Sequence, residues 1–126
     1  MTQPKSLTDC FEMVADKTRQ LNQTDLVYIC SPCRGNVSEN LNLAQMYCTL
    51  ALSRGCTPIA PHLMFRGLLN DNKPKEREQA LAIGIQLLSF CSEMWVFGNT
   101  ITEGMRGEIT YATKHNIKIM YKRTLA

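Results

Sequence analysis

Leu26-Val27-Tyr28-Ile29-Cys30, followed by Ser31-Pro32-Cys33-Arg34-Gly35-Asn36, is the stretch that decides the fold. Five residues with strong β preference run without the in-out alternation of a half-exposed strand, then meet a Ser-Pro and Gly-Asn turn. That is the pattern of a parallel strand buried on both faces. Such strands need helical crossovers, and the flanking sequence supplies them. Upstream, Leu7, Phe11, Val14 and Leu21 recur at helical spacing before a polar break at Asn22 to Asp25, which predicts a leading amphipathic helix. Downstream, Ser38 is placed to cap a helix carrying Leu41, Ala44, Met46, Cys48 and Leu52, with Gly55 as its stop.

Further out, strands and helices continue to alternate. Cys56 to His62 reads as a second strand, and Pro58, which lacks a ladder donor, places it at the sheet edge. Leu63 to Lys73 reads as a loop and Pro74 as the first turn of a helix whose broad apolar face includes Ala80, Leu81, Ile83, Gly84, Leu87 and Leu88. Met94-Trp95-Val96-Phe97 reads as a central strand with Trp95 in the core. Thr102 caps a helix to about His115, and Ile117 to Tyr121 is the last strand. The expected fold is α/β: a single domain over residues 1–126, with a leading helix in 1–22 and a core in 26–121. Its flavodoxin- or Rossmann-like parallel sheet has about four strands in the order 2-1-3-4, with helices on both faces. Ligands of such sheets bind beyond the carboxyl ends of the strands, where the order reverses.

Composition narrows the function. The 126 residues carry a formal charge of +3 from 14 Lys and Arg against 11 Asp and Glu, and the basic residues are scattered rather than striped, which argues against a nucleic-acid polymer as partner. No apolar run approaches the roughly 18 residues of a membrane span, and charges stand where a signal peptide needs its apolar centre. The expectation is a cytoplasmic protein without membrane partner, folding alone or as a homodimer or higher homo-oligomer. Four of the six cysteines lie inside apolar patterns and read as buried reduced thiols. With neither a second C-x-x-C nor a convincing His set, no metal is expected. The absence of G-x-G-x-x-G and of a phosphate-binding G-x-x-x-x-G-K-[ST] loop argues against dinucleotide or P-loop chemistry, so no cofactor is expected.

Glu108 is the leading candidate for chemistry. Met105, Glu108, Ile109 and Ala112 fall at i, i+3, i+4 and i+7, so a carboxylate stands on the stripe that faces the sheet. An ionised carboxylate there costs several kcal/mol unless donors surround it or its pKa rises. Gly104 and Gly107 flank it, and glycines early in a helix cost about 1 kcal/mol each, which suggests the close approach of another molecule. The structural alternative is a Glu that only serves its helix N-terminus or pairs with an Arg. After the first strand, Ser31, Arg34 and Gly35 form a candidate cradle for sugar or phosphate, although Ser-Pro turns and surface Arg are common in purely structural roles. His62 closes the second strand, and Asp71 and Arg77 follow where the chain can cover a site. Ser31, Arg34, His62, Gly98 and Glu108 are expected to line one pocket. Cys30-Ser31-Pro32-Cys33 also has the spacing of a thiol redox site, but it begins inside a strand and well before the next helix.

Three motifs carry a resemblance: Tyr28-Ile29-Cys30-Ser31-Pro32-Cys33-Arg34-Gly35, Pro58-Ile59-Ala60-Pro61-His62, and Trp95-Val96-Phe97-Gly98 followed by Gly104-Met105-Arg106-Gly107-Glu108-Ile109. From about Leu26 to Tyr121 the chain resembles a bacterial and phage family of the nucleoside 2-deoxyribosyltransferase-like superfamily. The resemblance implies a nucleoside or nucleotide ligand, cleavage or transfer at an N-glycosidic bond, and Glu108 as carboxylate nucleophile. It also implies substrate contacts from Ser31, Arg34, Gly35, His62, Asp71, Gly98, Gly104 and Met105. The chain departs from the family pattern at Cys33, where relatives commonly carry Tyr, and at Ser92, where they often carry Asp. Those departures leave a non-catalytic nucleotide-binding or sequestering module as the alternative function, with thiol redox chemistry as a third.

Overall fold

The computed structural model describes residues 5–20, 25–33 and 37–122, and of residues 15–20 only the backbone. Four strands, β1 (Leu26–Cys30), β2 (Thr57–Ile59), β3 (Glu93–Phe97) and β4 (Lys118–Lys122), form one parallel sheet in the order β2-β1-β3-β4. Between and before them lie α1 (Leu7–Gln20), α2 (Val37–Ser53), α3 (Pro61–Met64), α4 (Pro74–Leu88) and α5 (Glu103–Lys114). The expected class and strand order are both present. Pro58 lies opposite Val27 on the edge strand β2, where its missing N–H leaves no central ladder broken.

Because successive side chains of a strand point to opposite faces, β1 and β3 divide the core in two. Tyr28, Cys30, Met94 and Val96 join Leu88 of α4 and Met105 and Ala112 of α5 on one face. Val27, Ile29, Trp95 and Phe97 join Tyr47 and Ala51 of α2 on the other, where the Tyr47 and Phe97 rings stack at 3.9 Å. Trp95 is core, as expected. Helix α2 ends against Gly55, whose φ of 75° suits the left-handed turn, and Cys56 N–H closes on the Ala51 carbonyl at 3.0 Å. On α1 the helical spacing gives the expected helix, but Leu7, Phe11 and Val14 are exposed.

One element differs in kind. The second strand stops at Ile59, and Pro61 opens the short helix α3, with the Phe65 N–H on the Pro61 carbonyl at 2.9 Å. Proline fits the first helical position because its φ is already right and its absent N–H would have had no partner there. His62 therefore belongs to a helix turn and not to the end of a strand. The remaining differences are shifts of one or two residues: α2 begins at Val37, ahead of Ser38, β3 at Glu93, and β4 at Lys118. Among the described residues no helix is long and apolar enough to cross a membrane.

Candidate functional site

Beyond the carboxyl ends of β1 and β2, a cavity of about 1080 Å³ opens between the end of β1, the start of α2, the α3–α4 segment, one flank of α4 and the first turns of α5. It reaches the upper end of the usual size range for small-molecule sites. Ser31, His62, Asp71, Gly104, Met105 and Glu108 all line it, as does Arg77. Gly98 is not among the lining residues. At φ 101° it brings its backbone so close to Pro32 that an added Cβ would lie 3.2 Å from the Pro32 Cδ. Its position is thus explained by contact with the protein itself. Arg34 and Gly35 lie outside the described residues.

Glu108 owes its place to the amphipathic register of α5. Thr102 caps that helix by accepting from the Met105 N–H at 3.3 Å, Met105 and Ala112 face the core, and Glu108 is carried half-buried to the cavity wall. Burial pushes its carboxyl up from the usual 4.5 to about 7, against the opposing effect of a hydrogen bond donated by the Tyr28 hydroxyl. Tyr28 is itself buried, and its phenol is held well above the ordinary value by burial and then by the neighbouring carboxylate. Room for the hydroxyl comes from Gly84 on α4, where a Cβ would approach the Tyr28 oxygen to 3.0 Å. Gly104 and Gly107 have less cause in the protein: a Cβ at Gly104 would make an ordinary 3.8 Å contact with Leu81, and one at Gly107 would meet open space.

Tyr28 is the functional candidate that sequence reading passed over. Its signal was a lone hydroxyl in an otherwise apolar buried strand, because a buried phenol seeks a partner. The partner lies 80 positions away in the chain, so strand pattern alone could not name it.

A second polar pair stands on another wall. Ser31 is 5% exposed, and its Oγ lies 3.1 Å from Nε2 of His62. Burial lowers the His62 pKa, so the ring is neutral near pH 7. Cys33 also lines the cavity, whereas Ser92 lies at the opposite end of the sheet, where its hydroxyl meets the Leu26 carbonyl at 3.3 Å. Of the two departures from the family pattern, only Cys33 touches the cavity.

For thiol chemistry the setting is unfavourable. Cys30 is buried, and burial followed by the nearby Glu108 charge pushes its thiol up, the opposite of what a reactive thiolate requires. Among the described residues there is no disulfide and no group of three or more His, Cys, Asp or Glu side chains able to hold a metal ion.

The fold is similar to that of the 2-deoxyribosyltransferase of the psychrotolerant bacterium Bacillus psychrosaccharolyticus, described as a biocatalyst for nucleoside synthesis. The TM-score is 0.64 at 13% sequence identity, over 78% of this chain and 72% of that one. No curated protein matches the sequence. A family model described as "Domain of unknown function (DUF7768)" matches residues 25–122, which runs from just before β1 to the end of β4 and takes in both polar pairs, and the chain belongs to that family.

Proposed function

We propose that the chain binds a nucleoside or nucleotide in this cavity and cleaves or transfers at its N-glycosidic bond, with Glu108 as nucleophile. The observation that carries the reading is a half-buried carboxylate at a cavity wall, held by a buried tyrosine hydroxyl. One carboxylate oxygen is oriented by Tyr28 and the other attacks the anomeric carbon. The glycosidic C–N bond breaks, its electron pair leaves with the base, and a glycosyl ester remains on Glu108. The base then departs with a proton from solvent, and water or a second base opens the ester. Ser31, Arg34, Gly35, His62, Asp71, Gly104 and Met105 are the proposed substrate contacts, and the similarity to a nucleoside-processing fold supports the choice of ligand class.

Only the ionised carboxylate can attack, so base release should rise with pH through about 7 and level off above it. Tyr28→Phe removes the donor that favours the ionised form. Its expected result is a midpoint moved upward by about one unit, with slower release at neutral pH. The measurement is a pH–rate profile of free base released from a panel of 2′-deoxynucleosides, ribonucleosides and their 5′-monophosphates. Ligand that binds in calorimetry and is recovered intact from every member of the panel would replace the enzyme with a binding module.

A further inference from the structure

We infer that His62, oriented by Ser31, is the base that accepts the proton when water opens the glycosyl ester on Glu108. The inference rests on the N-glycosidic reading above and concerns its second half, for which Glu108 itself cannot serve. A retaining displacement brings the incoming nucleophile to the sugar from the side opposite the carboxylate, so the proton acceptor must stand across the sugar from Glu108.

The sheet order provides that separation. Glu108 follows β3, Ser31 ends β1 and His62 follows β2, and β1 lies between the other two. With strands about 4.8 Å apart, the ends of β2 and β3 stand roughly 10 Å from each other. A pentose fits between elements set that far apart, and both His62 and Glu108 line the cavity there.

The imidazole is also held in a useful state. Its contact at 3.1 Å joins Nε2 to the Ser31 oxygen. In the tautomer that carries its proton on Nε2, the ring donates to Ser31 and the lone pair stands on Nδ1, and this is the form that the proposed step uses. Burial keeps the ring neutral and therefore able to accept.

The step balances as written. The oxygen of water bonds to the anomeric carbon, the bond from that carbon to the Glu108 oxygen breaks, and its electron pair returns to the carboxylate. The water proton passes to Nδ1 and from there to solvent.

The test is His62→Gln in the full chain, mixed with the four 2′-deoxynucleosides and their 5′-monophosphates and followed by rapid-quench base release and intact mass. The expected result is a burst of about one base per chain, steady turnover reduced about 10²–10⁴-fold, and a sugar adduct retained on the protein. Ser31→Ala, which frees the ring without removing it, should give the same adduct in smaller amount and covers the case in which His62→Gln does not fold. Unchanged turnover in both variants overturns the inference, as does loss of the burst together with turnover in folded protein. It is also overturned if the adduct accumulates in Asp71→Asn and not in His62→Gln, which would assign the proton to a carboxylate of the cavity. A parent chain that releases no base from any of these substrates removes the N-glycosidic reading and this inference with it.

Discussion

At pH 8, Glu108→Gln is expected to be more stable than the parent chain and to lose base release by about 10³-fold or more. The two effects have one cause. Below pH 4.5 the folded and unfolded chains both hold the proton, and the carboxyl contributes nothing to the pH dependence of stability. Between 4.5 and about 7 the unfolded chain releases the proton while the folded one keeps it, so stability falls as pH rises. Above about 7 the full penalty is in force, up to about 3 kcal/mol at 1.36 kcal/mol per unit. Glutamine has the same shape, still accepts from Tyr28 through its amide oxygen, and carries no charge to desolvate. Denaturant melts of parent and variant at pH 4 and pH 8 decide the matter: the variant should gain about 1–3 kcal/mol at pH 8 and little at pH 4. An equal difference at both pH values would show that the Glu108 carboxyl is not the strained group, and full activity in the variant would remove it as nucleophile.

The second large effect lies away from the cavity, at Gly98. Alanine there would have to adopt a φ of 101° and place its Cβ 3.2 Å from Cδ and 3.3 Å from Cγ of Pro32. The backbone conformation costs about 1–3 kcal/mol for a residue with a side chain, and crowding against a ring adds a comparable amount. Gly98→Ala is therefore expected to lose about 2–4 kcal/mol, seen as a lower urea midpoint at unchanged slope. Pro32 stands between Ser31 and Cys33, so relief of the clash should displace the end of β1 and weaken ligand binding as well. A variant within about 0.5 kcal/mol of the parent would mean that the turn adjusts without strain.

The fold was largely legible because its signals are local. Leu26 to Cys30 and Met94 to Phe97 are short enough and apolar enough to be buried strands, Thr102 caps the helix it precedes, and Pro58 marks the edge. Glu108 was legible because helical periodicity is local too. What escaped depends on approach between distant parts of the chain. No pattern within β1 says that Tyr28 meets Glu108, and Gly98 read as a ligand contact because its neighbour Pro32 lies 66 positions earlier. His62 was placed on a strand because Cys56 to His62 looks extended throughout. The extended run ends at Ile59, and Pro61 has the preset φ that starts a helix turn there.

The packing of Gly84 against the Tyr28 hydroxyl ties two positions into one unit of inheritance. A methyl group at 84 would stand 3.0 Å from an oxygen that exists only while residue 28 is tyrosine, so its effect depends on the genetic background in which it arises. Introduced alone it disturbs the donor to Glu108, whereas in a chain already carrying phenylalanine at 28 the obstacle is gone. A lineage that gives up the hydroxyl is then free to fill position 84, and each substitution that follows makes restoration of the tyrosine harder. Loss of the carboxylate's partner would in this way be harder to undo once the helix behind it has changed.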